Sequence, residues 1–275
     1  MNRKVLLWGS ISVVLWGGII VALGGLAATY FYQWNKKAVP PPPAPPPIVP
    51  ARAEPAVRHP IPAAGNNTGA EAHPLPSLAD SDAGIAGALT EFFGKSAVAK
   101  FLVPENVIRN IVVTVDNLPR QKVAAERRPV KPASGETVVN GDVDAGEVAT
   151  LNVKNYARYA PVMRVVQATD VKALTALYFH WYPLFQEAYE GLGYPGRYFN
   201  DRLVETIDNL LATPDVQGPI RLVRPKVFYE FADPALEARP AGQKLLIRMG
   251  PDNAALIKAK LRELRAEVTR QPHPG

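Results

Sequence analysis

Aromatic, basic and acidic side chains crowd one short stretch of this chain, Gly193 to Arg202 (GYPGRYFNDR). A Tyr-Pro-Gly turn there joins two amphipathic patterns and brings Tyr194, Arg197, Tyr198, Asn200, Asp201 and Arg202 close together in sequence. Aromatic rings beside a guanidinium at a fixed corner can grip a sugar ring, a carboxylate or a partner chain. The same residues suit an ordered helix–helix turn, with the tyrosines packed and Asn200 or Asp201 acting as a cap. The corner is a candidate binding site, and no residue in it is assigned a catalytic role.

Carboxylates continue the pattern. Asp201, Glu205 and Asp208 stand at i, i+4 and i+7 and so share one helix face. Such a row can hold a divalent cation through oxygen ligands, or supply an acid–base pair in which one pKa is raised. With Phe199, Leu203, Ile207 and Leu210 on the opposite face and Arg202 nearby, it equally describes the solvated side of a core helix. Histidine is the usual acid–base residue near neutral pH. Of four histidines, His59 and His73 lie in a proline-rich region and His273 in the tail, which leaves only His180 in the body of the chain. His180 lies off the apolar stripe of Leu174, Leu177, Tyr178, Trp181, Leu184, Phe185 and Ala188. Its helical neighbours Ala176, Leu177, Pro183 and Leu184 offer no carboxylate to orient it, so a surface histidine is expected. A multi-histidine zinc site is excluded. With no cysteine, disulfides and thiolate metal sites are excluded as well. There is no Gly-x-Ser-x-Gly, phosphate-binding glycine loop or HExxH motif. No metal and no cofactor is expected.

The elements that must position these residues read as helices with little β structure. Asp80-Ser81-Asp82 offers caps for a helix from Gly84 to Phe93 that Gly94 stops. Pro104 suits the first turn of the next helix, where Val107, Ile108, Ile111, Val115 and Leu118 recur at helical spacing up to Pro119. Val138 to Gly141 carries a hairpin turn signal. Asn155 to Ala168 reads as helix, and Thr169 or Asp170 caps a long helix that runs to Gly191. On that helix Phe179, Tyr182 and Tyr189 flank the stripe and are expected to pack, while Pro183 opposite it should bend the helix. Phe199 to Leu211 is another helix, closed by Thr213-Pro214. Arg221 to Phe231 reads as a strand confined to an edge by Pro225. Asp233-Pro234 starts a helix that Gly250-Pro251 ends, and a last helix covers Asp252 to Thr269. In that last helix Ala254, Ile257, Leu261, Leu264 and Val268 could form a short coiled-coil seam, although packing on its own domain is the expected use. Thr114 to Pro119 (TVDNLP) echoes Thr206 to Leu210 (TIDNL), too briefly to establish a duplication.

Ahead of this body lies a different kind of sequence. From Val5 to Asn35 there is no charge, with Arg3-Lys4 before and Lys36-Lys37 after. Crossing a bilayer takes about 20 apolar residues, and Trp8, Tyr30, Tyr32 and Trp34 sit where an aromatic belt would. A cleaved signal peptide, with Gly25-Leu26-Ala27 as its cleavage site, has a shorter apolar core than this stretch. A transmembrane anchor is expected, with small residues at Gly17-Gly18 and Gly24-Gly25 available for helix pairing. The basic flanks balance, and the short leading tail places the N-terminus in the cytoplasm and the rest outside. Val39 to Pro62 holds 11 of the 28 prolines, enough to favour a polyproline II strut reaching about 70 Å. The four basic flanking residues supply most of the net charge of +6, so the remainder is near neutral and nucleic acid is not an expected partner.

Four stretches carry a resemblance: LVPENVIRNIVVTVDNLPR (102–120), YPLFQEAYEGLGYPGRYFNDRLVETIDNLLATP (182–214), RLVRPKVFYEFADPALE (221–237) and AGQKLLIRMGP (241–251). They resemble the bacterial domain of unknown function 3014 over about residues 75–270. The resemblance implies an N-terminally anchored envelope protein of Gram-negative bacteria and brings no activity, substrate or catalytic residue. The anchor-plus-strut plan is similar to that of TonB in architecture alone.

The expected organisation is therefore a mainly α protein: transmembrane anchor over 1–37, proline-rich linker over 38–76, helical globular domain with minor β elements over 77–270, and a tail over 271–275. The expected function is that of a single-pass inner-membrane protein whose periplasmic domain binds an envelope protein or cell-wall partner. Two alternatives stand beside it. One is a carboxylate-dependent envelope hydrolase using Asp201, Glu205 and a further acid such as Glu187 or Glu230. The other is a passive scaffold that forms a homo-oligomer through the anchor or the last helix.

Overall fold

A computed structural model of the chain describes residues 56–61, 74–121, 125–141, 148–225 and 228–270. The expected anchor, the rest of the linker and the tail lie outside the described residues, all of which belong to one compact unit, Glu54–Gly275. Among the described residues no helix is long and apolar enough to cross a membrane.

Among the described residues the unit is mainly helical with four short strands. In chain order it contains α1 (Ser81–Phe93), α2 (Lys95–Phe101), α3 (Val107–Asn117), β1 (Val139–Asn140), β2 (Ala149–Leu151), α4 (Lys154–Ala157) and α5 (Ala160–Ala168). There follow α6 (Val171–Glu190), α7 (Phe199–Leu211), β3 (Arg221–Val223), β4 (Glu230–Phe231), α8 (Pro234–Glu237), α9 (Ala241–Met249) and α10 (Pro251–Val268). Helices α6, α7 and α10 pack on one another and α3 packs on α6 and α7, with α1 across α3 and α6. Val107, Ile108 and Val112 of α3 meet Trp181, Leu184, Phe185 and Ala188 of α6 and Phe199 of α7 in the largest apolar cluster. The stripe expected on α6 is thus the core, and Tyr182 and Tyr189 are buried beside it. Pro183 and His180 sit on the exposed face of the same helix.

Several boundaries differ from those the sequence suggests. Asp82 does not cap its own helix. It reaches the start of α3 and accepts from the Asn106 and Val107 amides at 2.7 and 2.8 Å, so α3 begins at Val107 and not at Pro104. A helix over 155–168 is interrupted because Pro161 has no amide hydrogen and its ring would clash with the carbonyl of residue 157; the chain restarts as α5. Pro240 does the same to the helix expected from Asp233, since the residue before a proline avoids the α region, and α9 starts after it. Asp170 is the cap of α6, accepting from the Lys172 and Ala173 amides. Helix α7 spans the residues its periodicity predicts.

The strands form one antiparallel sheet in the order β1-β2-β3-β4. Val139 faces Leu151, Ala149 faces Leu222, and Leu222 faces Phe231. The stretch read as a single edge strand over 221–231 is two strands, and β3 is internal. Pro225 falls in the connection, where its missing amide donor is not needed. Leu151, Ile220, Leu222, Phe231 and Ile247 make the apolar layer beneath the sheet. Gly250 joins α9 to α10 at φ +91°, and a Cβ there would lie 2.5 Å from the Tyr156 ring, so only glycine fits. The seam of α10 packs on α5, α6, α7 and α9 of its own domain.

Glu237 ties the sheet to α9. Its carboxylate accepts from the Phe231 amide at 2.9 Å and pairs with Lys244 at 2.6 Å. Burial pushes its pKa up, but Lys244, the Phe231 amide and Arg248 together hold it below the usual carboxylate value. A depressed folded pKa means stability present above the unfolded value, about 4.3, and lost as pH falls through the folded one. Glu237→Gln should therefore lower stability by about 1 kcal/mol at pH 7, with the difference from the parent shrinking below about pH 4. Thermal melts at pH 7 and pH 3 check this; an equal difference at both values would remove the carboxylate's role.

Candidate functional site

The corner between α6 and α7 is a braced turn. Gly193 and Gly196 take φ of +95° and +71°, which side-chain-bearing residues rarely adopt, and so reverse the chain within a few residues. Gln186 holds the turn from inside. Its amide nitrogen donates to the Arg197 carbonyl, and its oxygen accepts from the Phe199 amide and from the Tyr182 hydroxyl, all within 2.9 Å. Tyr194 stacks on the buried Tyr189 with ring centroids 4.8 Å apart, and the Arg197 guanidinium lies over the Tyr194 ring at 5.7 Å.

A carboxylate that the sequence did not single out anchors this arrangement from α3. Asp116 is 5% exposed. Its oxygens take Arg202 Nε at 3.0 Å and Arg120 Nη2 at 2.6 Å, and its backbone carbonyl accepts from Arg202 Nη2. The Tyr194 hydroxyl bridges Arg120 and Asp116. Arg202 also pairs with Glu205 at 2.9 Å. Burial alone would lower the Arg202 pKa, and Glu205 and Asp116 more than reverse this, so the guanidinium stays charged. Burial raises the pKa of Tyr178, Tyr182 and Tyr189, which therefore act as neutral hydroxyls.

The six sequence-predicted residues divide into two groups. Arg197, Tyr198, Asp201 and Arg202 line an open cavity of about 350 Å³, shared with Glu205 and with Arg58 from far upstream. Tyr194 stands behind it, and Asn200 is completely buried. The Asn200 amide nitrogen donates to the Val268 carbonyl at the end of α10 and to the His59 carbonyl, while its oxygen accepts from the Tyr178 hydroxyl. It ties α7 to the end of α10 and to residue 59 and is not a helix cap; α7 is preceded by Tyr198 and has no side-chain cap.

Residues 56–61, read in the sequence as the end of the strut, lie against this corner. Asp201 accepts from the Arg58 amide at 3.0 Å and the His59 amide at 2.7 Å. The Tyr198 hydroxyl accepts from the Ile61 amide at 2.8 Å. Ile61 itself packs on the main apolar cluster. The acids of α7 are each engaged by a different donor: Asp201 by these amides, Glu205 by Arg202, and Asp208 by Arg265. Glu187 is exposed on α6 and Glu230 lies on β4. Among the described residues no group of three His, Asp or Glu side chains is placed to hold a metal ion. Sequence reasoning missed Asp116, Gln186 and the resident segment. The only hint of the first was that Asp116 lies in the stretch echoed around Asp208.

A larger cavity, about 480 Å³, lies between α2 and α5 and contains none of these residues. Comparison with known families matches residues 107–265 to one described as a protein of unknown function, DUF3014. The match covers more than half of the chain, includes Asp116 and the whole Tyr194–Arg202 corner, and excludes residues 56–61. No curated protein and no solved structure matches the chain.

Proposed function

The chain belongs to the DUF3014 family, described only as of unknown function, and on that premise we propose that it is a single-pass inner-membrane protein whose periplasmic helical domain binds a protein partner at the Tyr194–Arg202 corner. The uncharged run from Val5 to Asn35 between basic pairs supports the tether. One observation carries the binding role. Arg197 presents an exposed guanidinium, stacked on Tyr194, at the lip of a cavity whose walls are fixed by the buried Asp116–Arg202 pair and by Gln186. Arginine and tyrosine on a rigid support are the residue types that dominate protein interfaces, and preorganisation reduces the ordering cost of binding.

The test is in-cell photocrosslinking from Leu192, which is 40% exposed beside the corner, with a photoreactive amino acid in its place. A discrete adduct in the membrane fraction is expected, and it should disappear with Arg197→Ala and weaken with Tyr198→Phe. Arg197→Ala should leave the melting temperature within about 2 °C of the parent, because an exposed side chain of this kind contributes under about 0.5 kcal/mol. An adduct indifferent to Arg197, or none at all, removes the corner from the function.

A further inference from the structure

The groove in front of α7 is filled by the chain itself, and the manner of filling indicates what it recognises. Among the described residues, four hydrogen bonds hold residues 58–61, and all use the segment's backbone. The Arg58 and His59 amides donate to Asp201, the His59 carbonyl accepts from Asn200, and the Ile61 amide donates to Tyr198. The amide positions used are 58, 59 and 61. The one skipped, position 60, is a proline, which has no hydrogen to give. The chain bends at Arg58-His59, so two successive amides converge on one carboxylate. Ile61 enters the apolar cluster, whereas Val57 and the Arg58 side chain remain exposed. Recognition therefore rests on backbone polarity, a proline that fixes the bend's exit, and one aliphatic anchor. The receiving groups are also held by the domain itself, since Asn200 donates to the Val268 carbonyl and accepts from the Tyr178 hydroxyl, and Tyr198 packs on the Tyr182 ring at 5.4 Å.

We propose that this groove is a peptide-recognition site for bent segments ending in Pro-aliphatic, that Arg58–Ile61 is its resident ligand in cis, and that the partner protein inserts a segment of the same chemistry in competition with it. The proposal rests on the binding role given to the corner and names the chemistry of the partner. The resident segment is tethered to its own groove, so its effective concentration is high and a partner's apparent affinity is reduced in proportion to the small fraction of the groove left open.

The experiment uses the full chain in detergent and a fluorescein-labelled peptide with the sequence of residues 54–65 (EPAVRHPIPAAG). His59→Pro with Ile61→Asp in the chain removes one amide donor and the anchor, and so empties the groove. By fluorescence anisotropy this variant should bind the peptide about tenfold or more tightly than the parent chain. Adding Asp201→Ala should abolish that gain, as should a peptide carrying proline at the His59 position. If the double variant melts well below the parent, a protease site inserted between Ala64 and Gly65 serves instead, because cutting there lowers the effective concentration of the resident segment without altering the groove. No gain in affinity from either route overturns the proposal, as does equal binding of the proline-bearing peptide. If the gain is absent while Arg197→Ala still removes the crosslink from Leu192, the peptide chemistry falls and the corner's binding role stands; if both are absent, both fall. A parent chain whose mass doubles with concentration, and reverts in the double variant, overturns the cis arrangement in favour of segment exchange between two copies.

Discussion

Asp116→Ala should destabilise the domain by about 3–5 kcal/mol, lowering the melting temperature by roughly 10 °C for a unit of this size. The Asp116 side chain is 7% exposed and that of Arg202, its main partner, 15%. Removing the acid leaves a largely desolvated guanidinium facing only the Asp116 backbone carbonyl and Glu205, and breaking one partner of a buried pair costs far more than the pair contributes against apolar replacements. Arg120 and the Tyr194 hydroxyl lose their shared acceptor in the same step, so the corner should loosen as well as the core. Asp208 provides the internal control. It occupies the equivalent place in the echoed stretch and also pairs with an arginine, Arg265, but the two side chains are 47% and 41% exposed. Exposed pairs contribute under about 1 kcal/mol, so Asp208→Ala should shift the melting temperature by only a few degrees. Circular dichroism melts of the two single variants compare the effects directly. Similar small losses from both would show that Arg202 is well solvated without Asp116.

The pair of aspartates also shows where the sequence stops being legible. TVDNL and TIDNL are nearly the same local text, each at the end of an amphipathic helix, and the two helices pack together through the Thr206 hydroxyl on the Val115 carbonyl. Apart from Arg120, four residues on, nothing local separates a carboxylate that will be buried under two arginines from one that will face solvent. The difference comes from partners far away in sequence: Arg202 is 86 residues from Asp116. Periodicity, by contrast, is local, and it placed α6 and α7 well because no proline breaks the pattern at their start and the caps at Asp170 and Gly191 are near. Where the reading failed over 155–168 and 233–250, Pro161 and Pro240 were present in the sequence and were outweighed by continuous apolar spacing. Their missing donors interrupt the helices. Lys95–Phe101 went unread as a helix for the opposite reason: it buries no residue fully, so no stripe announces it.

The corner itself was legible as a unit and not as a set of roles. Tyrosine, arginine and carboxylate gathered in one turn mark it in the sequence as a candidate, yet the same composition does not tell which side chains face inward. Asn200 lies between the half-exposed Tyr198 and Asp201, and local spacing cannot reveal that the end of α10 and a segment 141 residues upstream converge on it. The resident segment was hidden by its composition. Residues 56–61 belong to a proline-rich run whose expected conformation has no internal hydrogen bonds, and the groove supplies bonds the run cannot make for itself.

Asn200 should accordingly be a sensitive position in the corner although it faces no solvent. Asn200→Ala deletes two donors and one acceptor at a position with 0% exposure, leaving the Val268 carbonyl, the His59 carbonyl and the Tyr178 hydroxyl without that partner. At about 1 kcal/mol for each such bond, the loss is about 3 kcal/mol, or a fall of roughly 6–12 °C in melting temperature. Asn200→Asp separates the two halves of this side chain. It keeps the acceptor for Tyr178, removes both donors, and places a carboxylate against two carbonyl oxygens, which raises the folded-state pKa of the introduced acid. A raised pKa on an acid means the penalty is absent below its unfolded value, about 3.9, and grows as pH rises towards the folded one. The deficit of Asn200→Asp should therefore be smaller at pH 4 than at pH 7, whereas that of Asn200→Ala should be the same at both. Urea denaturation of the two variants and the parent at those pH values measures both quantities. A pH-independent deficit for the aspartate would mean that water reaches the site, and an alanine effect under about 1 kcal/mol would mean that α10 and the resident segment are held by other contacts.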